Sequence, residues 1–480
     1  MSDTRTSAHA ALDRALEHAA HWLDGLDTRS VGATTSLEEL RARLAVPLSE
    51  HGTDPVRVID ELAAATEGGL LGSPGGRFYA WVIGGSLPSA LAADWLTSAW
   101  DQNAGMYATA PAAAIAEEVA GAWLLEMLDL PRDASFAFVT GCQMAHVTAL
   151  AAARSGVLRD AGWNVETDGL FGAPRIRVLA TAPRHSTIDR ALRFLGIGER
   201  SVRPVATDAK GRVTASALEE ALASGSGPTI VVLAAGDLNT GEFDPFRTLI
   251  PIARSAGAWV HVDGAFGLMA RASAAKRALL DGVELADSWA TDAHKWLNVP
   301  YDSGIAIVRD RAAHRAAMTV SASYLSPNDR TRDEVDWNPE FSRRARGFAL
   351  YAALRELGRS GLASLVDRCC AYCHAIVTGI GALRGAELLW TPELNQGLVR
   401  FLDERSGATD NDHDVRTDAV IAAINASGEA FFGGVTWNGK RAMRVSVVNW
   451  RTDEGDVARA IDAARSAIAS VASQQSPRTT

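Results

Sequence analysis

The chain has 480 residues, of which 47% are hydrophobic and 22% charged, the proportions of a globular protein with a large core. Its net charge of −10 excludes binding to nucleic acid through a basic surface, and it predicts no attraction to anionic membranes. Charged residues interrupt both the N-terminal region and the apolar stretch 112–130, so neither a signal peptide nor a membrane span is predicted. Four cysteines in a chain of this length form no disulfide framework, and we expect a cytoplasmic protein.

The hydrophobic pattern predicts three regions: an N-terminal helical segment (1–75), a large domain (76–345) and a small C-terminal α+β domain (346–480). Short β-like runs alternate with helical patterns through the large domain, which predicts a mostly parallel sheet with crossover helices. The predicted strands are 135–141, 176–182, 229–236, 258–267, 288–294 and 304–310. The predicted helices include 8–26, 55–65, 144–154, 186–195, 215–223, 246–256, 348–383 and 453–471. Further strands are expected at 397–402 and 441–450, and disorder at 472–480.

A cysteine-rich stretch, "RCCAYCH" (368–374), offers Cys370, Cys373 and His374 on one helical face. Such a face is one way to hold zinc, but a tetrahedral site needs a fourth ligand or an open position, and none is evident nearby. The stretch also lies within the long amphipathic pattern 361–383, where cysteine acts as a small hydrophobic residue. We therefore predict a packed helix here and no metal site.

Reactive side chains follow several predicted strands at their carboxyl ends, where open α/β sheets bind ligands. They are Cys142, Gln143, His185, Asp237, Asn239, Asp263 and Lys295. Each alone has a simpler explanation, such as an aspartate capping a turn. Together they supply what pyridoxal 5'-phosphate (PLP) needs: an amine, an aspartate for the ring nitrogen, and a helix N-terminus for the phosphate.

Two motifs, "HVDGAFG" (261–267) and "DAHKWLN" (292–298), resemble the aspartate and lysine motifs of the group II PLP-dependent amino-acid decarboxylases. That family includes glutamate and aromatic L-amino-acid decarboxylases. Segments 77–96, 111–131, 139–154, 183–196 and 234–245 are also similar to it, so the resemblance covers most of the chain. It implies the aspartate-aminotransferase fold (fold type I), with a seven-stranded-type, mostly parallel sheet flanked by helices and a smaller C-terminal α+β domain.

The resemblance implies a role for each matching residue. Lys295 would be the Schiff-base lysine, Asp263 the partner of the pyridine nitrogen, and His185 the residue that stacks on the ring. The remaining implied cofactor contacts are Gly141, Cys142 and Gln143 at the phosphate, Asp292 or His294 nearby, and Ala265 against the ring. Helix capping is the alternative for Cys142 and Gln143, and a structural hydrogen bond is the alternative for His294.

The family shapes its substrate pocket with the N-terminal segment, often across a dimer. The resemblance therefore implies a homodimer with active sites near the subunit interface. Candidate pocket residues are Tyr79, Trp81, Trp100 and Tyr107, for which core packing is the alternative. Arg444 could meet a substrate carboxylate or be structural.

The sequence departs from the aromatic-acid enzymes in one segment. Their mobile loop carries a tyrosine that reprotonates the carbanion, whereas 326–340 contains none; Glu334 aligns near that place and Tyr324 precedes it. We predict decarboxylation of an L-amino acid, aromatic or otherwise bulky, to an amine and carbon dioxide. An aminotransferase, a carbon–carbon lyase and a catalytically silent PLP-binding relative remain as alternatives.

Overall fold

The computed structural model describes residues 2–319 and 331–475. Its helices are α1 (Ser2–Asp24), α2 (Leu37–Leu44), α3 (Pro55–Thr66), α4 (Pro88–Trp100), α5 (Pro111–Met127), α6 (Cys142–Asp160), α7 (Val165–Asp168), α8 (Ser186–Phe194), α9 (Ala215–Ala223), α10 (Phe246–Ser255), α11 (Arg311–Met318), α12 (Gly347–Gly381), α13 (Asp410–Ser427) and α14 (Glu454–Gln475). Its strands are β1 (Ser135–Val139), β2 (Arg177–Thr181), β3 (Val202–Val205), β4 (Thr229–Ala234), β5 (Trp259–Asp263), β6 (Ser288–Asp292), β7 (Gly304–Val308), β8 (Ala386–Trp390), β9 (Gln396–Phe401), β10 (Gly433–Trp437) and β11 (Lys440–Ser446).

The large sheet has seven strands in the order β1-β7-β6-β5-β4-β2-β3. All neighbours are parallel except β7, which runs antiparallel to both β1 and β6. This arrangement confirms the predicted mostly parallel α/β sheet. The pattern missed β3, a four-residue strand whose two central residues are exposed, so it presents no apolar run to recognise.

Strands β1, β6 and β7 are buried along their whole length, and β4 and β5 are buried except at their last residue, as the near-continuous apolar runs predicted. Helix α6 packs across β1, β5, β6 and β7. Small buried residues at helical spacing, Ala145, Ala149 and Ala152, let the helix lie close to its neighbours. The N-terminus of α6 is thereby fixed at the carboxyl end of β1, beside the residues that follow β5 and β6.

A second, antiparallel sheet has the order β10-β11-β9-β8 and packs against α12 and α13. Helix α12 bends at Gly358, whose φ of 59° lies in the left-handed region that glycine tolerates. The cysteines of the 368–374 stretch are buried on α12 as free thiols, in agreement with the packed-helix prediction. Helix α14 continues to Gln475, so the predicted disorder is wrong for 472–475.

The N-terminal region is helical as predicted, with α1 packed on α3 and α2 on α3. Among the described residues, no helix combines the length and apolar character needed to cross a bilayer. The two sheets lie within 135–308 and 386–446, and the boundaries proposed at 75 and 345 stay a prediction.

Candidate active site

A cleft of about 620 Å³ opens where β1, β4, β5 and β6 end at the same edge of the large sheet. Most of the site residues expected from the sequence line it, among them Trp81, Gly141, Cys142, Gln143, His185, Asp263, Ala265, Asp292, His294 and Lys295. Arg444, from β11 of the small sheet, lines it as well. The convergence of strand ends has thus brought distant parts of the sequence into one cavity, as expected for an open α/β sheet.

Among the described residues, Lys295 is the one lysine that lines the cleft, and its ammonium is paired with a neighbouring carboxylate. The Nζ atom lies 2.9 Å from Oδ2 of Asp292, and both side chains are largely buried. Burial lowers the pKa of Lys295, but Asp292 more than offsets this effect, so that the pKa is raised above its usual value. The lysine is therefore held as a cation in the absence of a reaction partner.

Asp292 also joins the lysine turn to helix α6. Its Oδ1 accepts a hydrogen bond of 2.6 Å from the backbone N–H of Cys142, and His294 Nε2 lies 3.4 Å from the same oxygen. One carboxylate thus contacts the first residue of α6 with one oxygen and the reactive amine with the other. Sequence reasoning placed Asp292 near the phosphate but missed its contact with the lysine.

Asn298 links the turn that carries Lys295 to two other parts of the chain. Sequence reasoning also missed this residue. Asn298 adopts a left-handed φ of 50°, and its side chain accepts from the Gly85 N–H at 2.8 Å and donates to the Val448 carbonyl at 2.9 Å. Gly84 approaches so closely that a Cβ there would lie 2.1 Å from the Lys295 carbonyl oxygen. The segment that precedes α4 therefore packs directly on the lysine backbone.

Asp263 ends β5 and faces the cleft beside buried histidines. Its Oδ1 accepts from the Ala265 N–H at 3.2 Å, and His146 Nε2 lies 3.6 Å from the same oxygen. His146 in turn contacts His261. Burial lowers the pKa of both histidines to about 3, so both rings are neutral. On the side away from the cleft, the Asp263 carboxylate therefore faces uncharged groups, the Ala265 N–H and the His146 ring.

The N-terminus of α6 forms an anion cup. Asp292 accepts from the N–H of Cys142, the first of this 19-residue helix, and the N-cap residue, Gly141, has no side chain to bond the N–H groups that follow. Gln143 donates from Nε2 to the Thr187 carbonyl at 3.2 Å, while its buried Oε1 has no hydrogen-bond partner. Gly141 is packed against Gly304, where a Cβ would lie 2.4 Å from its backbone. Gly141, Cys142 and Gln143 would therefore hold the phosphate, and the residues present fit PLP.

His185 caps helix α8 at the edge of the cleft. Its Nδ1 lies 2.7 Å from Thr187 Oγ1 and accepts from the Thr187 N–H at 3.3 Å, so the ring orientation is fixed. Partial burial lowers the pKa of His185, which favours the neutral imidazole. The imidazole is accordingly available as a flat, uncharged surface beside Lys295 and Asp263.

An aromatic side chain that the sequence analysis did not single out, Tyr301, lies in the same cleft. Its ring stacks on His294 with 4.2 Å between centroids, and 58% of its surface is exposed. The available signal was its place only six residues after Lys295, within the same turn. Asp237 also lines the cleft, but its Oδ1 accepts from the N–H groups of Asn239 and Thr240, the turn-capping role considered for it.

Three expected pocket residues do not line this cleft. Tyr79 is fully buried in the core, where its hydroxyl donates to the Asp456 carbonyl at 3.2 Å. Tyr107 lies in a separate shallow depression near α5, and Trp100 packs edge-on against Phe348 instead. For Tyr79 the core-packing alternative is therefore correct within this chain.

The residue that aligns near the family's loop tyrosine, Glu334, is also outside the cleft. It is buried and paired with Arg332, with 2.7 Å between Arg332 Nε and Glu334 Oε1. Asn338 donates to it as well. Tyr324 and the first part of the 326–340 segment lie outside the described residues.

Residues 49–402 match the pyridoxal-dependent decarboxylase conserved domain. The chain is 24% identical to an aromatic-L-amino-acid decarboxylase of Bacillus atrophaeus over 94% of its length and 92% of the relative's. It is 31% identical to an L-2,4-diaminobutyrate decarboxylase of Rhizobium meliloti, covering 78% and 74% of the two chains. The structure of Oryza sativa TDC with PLP and tryptamine superposes with a TM-score of 0.89 at 23% identity, covering 98% of each chain.

The chain belongs to the pyridoxal-dependent decarboxylase family. It is a PLP-dependent enzyme that decarboxylates an amino acid, with the fold predicted from the sequence. The aminotransferase, lyase and silent-relative alternatives are accordingly set aside.

Proposed function

We propose that this enzyme decarboxylates an aromatic or similarly bulky L-amino acid, with Lys295 as the amine that holds the cofactor. The observation that carries the proposal is the pair of exposed aromatic side chains, Trp81 and Tyr301, in the cleft of Lys295. Their exposed fractions are 54% and 58%, which leaves flat apolar faces free to stack on a substrate ring.

Trp81 is presented to the cleft by a strained turn. Trp81 and Val82 both have left-handed φ angles, 54° and 59°, a conformation that is costly for side chains other than glycine and rarer still for a β-branched residue. Phe78 and Phe431 stack at 5.1 Å beneath Trp81 and support the turn. This strained turn leaves the Trp81 side chain half exposed in the cleft, whereas a tryptophan that only packs in the core would be buried. The arrangement therefore supports a role for Trp81 in binding the substrate.

Arg444 favours a second candidate, an acidic amino acid. Its guanidinium lines the cleft, and no carboxylate of the described residues is within ion-pair distance. Its one hydrogen bond, to the Leu238 carbonyl, is 3.2 Å long. Burial lowers the pKa of Arg444, but an arginine remains charged, so the cleft contains a cation able to bind either the α-carboxylate or a side-chain carboxylate.

The remaining residues have roles that follow from their positions. The anion cup at α6 would hold the phosphate, Asp263 would face the ring nitrogen, and His185 would cover one face of the ring. When bound, the cofactor supplies an aldehyde for the Lys295 amine and a ring that withdraws electrons from the substrate α-carbon. Asp292 keeps the amine protonated until binding, and the apolar walls exclude water from the bond that breaks.

A substrate panel tests the proposal. The PLP-loaded enzyme is incubated separately with phenylalanine, tyrosine, tryptophan, glutamate, aspartate, 2,4-diaminobutyrate and alanine, and carbon dioxide and amine are quantified. We expect the aromatic acids to give the highest kcat/KM. Preference for glutamate or aspartate would instead support the acidic candidate, and Lys295→Ala should abolish amine formation with every substrate.

Two variants connect the panel to the residues. Trp81→Ala should raise KM for the preferred aromatic acid about tenfold, since loss of one stacking face removes about 1 kcal/mol or more. Arg444→Met should raise KM for all substrates if it binds the α-carboxylate, but only for acidic ones if it binds their side chain. Phe171→Ala, at a fully exposed site away from the cleft, is the matched control.

We also propose that the enzyme is a homodimer formed through its N-terminal helices. The outward side chains Leu12, Leu16 and Leu62 of α1 and α3 are more than half exposed. They adjoin an apolar depression of about 790 Å³ between α1, α3 and α4, lined by Trp22 and Trp95. Light scattering should give twice the chain mass, and Leu16→Glu should halve it, whereas Phe171→Glu should not.

The assignment to the cytoplasm is likewise a proposal. All four cysteines, Cys142, Cys369, Cys370 and Cys373, are buried free thiols, which is compatible with a reducing compartment. Fractionation of the source cells with an antibody to the protein would test it.

A further inference from the structure

A continuous line of buried polar groups leads from the core of the sheet to Asp263. The indole Nε1 of Trp259 donates to Ser288 Oγ at 2.9 Å, and Ser288 Oγ lies 2.9 Å from His261 Nδ1. His261 Nε2 lies 2.9 Å from His146 Nδ1. His146 Nε2 then faces Asp263 Oδ1 at 3.6 Å and Cys142 Sγ at 3.3 Å. We call these four groups the histidine chain: Trp259, Ser288, His261 and His146.

The chemistry of its first two members gives the chain a direction. An indole can only donate, so Ser288 Oγ accepts from Trp259. The only other partner of Ser288 Oγ among the described residues is His261 Nδ1, so the serine hydrogen is satisfied only if it points there. His261 then carries its proton on Nε2 and donates to His146, which must carry its own proton on Nε2.

The opposite direction is disfavoured at both ends. It would leave the hydroxyl hydrogen of Ser288 without an acceptor in a fully buried site, which is costly. It would also place the lone pair of His146 Nε2 opposite the Asp263 carboxylate. Ser288, His261 and His146 are fully buried, and Trp259 is 8% exposed. Water therefore does not reach these groups to donate or accept in place of the protein partners.

We infer that His146 is a positioning residue for Asp263: the histidine chain directs a neutral N–H between Cys142 Sγ, at 3.3 Å, and Asp263 Oδ1, at 3.6 Å, beside the carboxylate that would pair with the ring nitrogen of PLP. This inference rests on the role proposed for Asp263. A neutral donor orients the carboxylate without adding a positive charge that would compete with the pyridinium. Cys142, His146 and Asp263 have ligand atoms within 4.8 Å of one another, the spacing of a metal site. The direction of the histidine chain disfavours such a site, because it places a proton on His146 Nε2. A nitrogen that carries a proton has no lone pair for a metal.

The first test is the direction itself, measured on the protein without cofactor or substrate. Nitrogen NMR of protein labelled at histidine, assigned with the His146→Gln and His261→Gln variants, reports which ring nitrogen is protonated. We expect both rings to be neutral with the proton on Nε2. A proton on Nδ1 of either ring, or a doubly protonated His146 at neutral pH, would overturn the inference.

The second test is the effect on Asp263, read from the affinity for PLP and from the nitrogen shift of ring-labelled PLP. His146→Leu removes the N–H that faces the carboxylate, and we expect affinity to fall about threefold, towards the lower end of the effect of a hydrogen bond because the contact is 3.6 Å long, with the ring nitrogen shifted towards its unprotonated form. His146→Gln places an amide N–H near the same point and should restore both values to within about twofold.

A merely structural role predicts a different result. Both variants would then lose stability in urea while the folded fraction bound PLP with wild-type affinity and an unchanged nitrogen shift, and that result would refute the positioning role. Neither test uses an amino-acid substrate. A failure of the aromatic-substrate proposal would therefore leave these outcomes unaffected and could be recognised separately.

Discussion

Lys295 and Asp292 show how a single contact sets the state of the reactive amine. The side chain of Lys295 is buried, which by itself favours the neutral amine, yet the carboxylate at 2.9 Å raises the pKa of Lys295 above its usual value. Only a neutral amine attacks an aldehyde. The pair therefore stabilises the resting site and slows the first encounter with the cofactor.

Replacing that carboxylate should make the amine easier to deprotonate. In Asp292→Asn the pKa of Lys295 falls, because burial remains while the attraction to the carboxylate is lost. The pH at which PLP uptake by the apoenzyme reaches half its maximal rate should therefore move down, measured by stopped-flow absorbance. Asp302→Asn, outside the lysine contact, is the control, and an upward movement in Asp292→Asn would contradict the argument.

At the scale of elements, the lysine turn is held between the large sheet and the segment that precedes α4. Asn298 links the turn to Gly85 and Val448, and Gly84 lies directly on the Lys295 carbonyl. The segment that precedes α4 thus helps to fix the backbone of the lysine turn. A change in the backbone of this segment should therefore shift the Lys295 amine without altering any group that contacts it.

A single methyl group at Gly84 tests this coupling. In Gly84→Ala the new Cβ would lie 2.1 Å from the Lys295 carbonyl oxygen, so one of the two segments must move. We expect PLP affinity to fall by about tenfold or more, since overpacking costs roughly 1–3 kcal/mol. Gly52→Ala, where a Cβ meets nothing within 4 Å, should leave the titration unchanged. Equal affinities for the two variants would argue against the coupling.

A buried ion pair anchors the chain after the 320–330 gap. Arg343 Nη1 lies 2.7 Å from Glu117 Oε1 on α5, with both side chains fully buried, and its Nη2 donates to the Phe138 carbonyl of β1. Burial raises the pKa of Glu117 to about 8 even beside Arg343, so removal of Arg343 leaves a protonated carboxyl and the Phe138 carbonyl without their partner. Arg343→Met should lower the free energy of unfolding by about 1–3 kcal/mol in urea titrations. Glu117→Gln/Arg343→Met should recover part of it, and a neutral single variant would contradict this account.

At the scale of the whole molecule, three buried histidines make stability depend on acidity. Burial lowers the pKa of His146, His261 and His314 to about 3. In the unfolded chain each would titrate near 6.5. Between these values the unfolded state binds more protons than the native state, so stability falls as the pH drops below about 6.5.

The histidine farthest from the cleft isolates this effect. His314 bridges Ser135 and the Trp337 carbonyl, and it does not line the cleft. Between pH 7 and pH 5 it should account for a loss of about 2 kcal/mol in unfolding free energy. His314→Gln should therefore lose about that much less over the same interval in urea titrations. His51→Gln, at an exposed site, should behave as the wild type, and parallel losses in all three proteins would contradict the assignment.

The sequence predicted the sheet and the cleft well because both depend on local patterns. Most strands of the large sheet are buried and mainly apolar, which a local pattern reveals. Residues that follow parallel strands lie at the same edge of the sheet, regardless of the conformation of the loops between them. Tyr79 and Trp81 could not be told apart, because the left-handed turn at 81 and 82 breaks the alternation that assigns faces to an extended chain. His146 and His261 were missed because their contact joins residues 115 apart, which no local pattern encodes.

The antiparallel strand β7 has a consequence for how the site assembles as the protein folds. Because β6 and β7 are adjacent and antiparallel, residues 288–308 form a hairpin, and the contact of Lys295 with Asp292 spans only three residues. The contact of Cys142 with Asp292 spans 150 residues. Loop closure makes distant contacts slower to form, so the amine is assembled early and the anion cup late. A cofactor that contacts both the lysine hairpin and the N-terminus of α6 would bind only after the two have come together. Its binding would therefore stabilise the contact between Cys142 and Asp292.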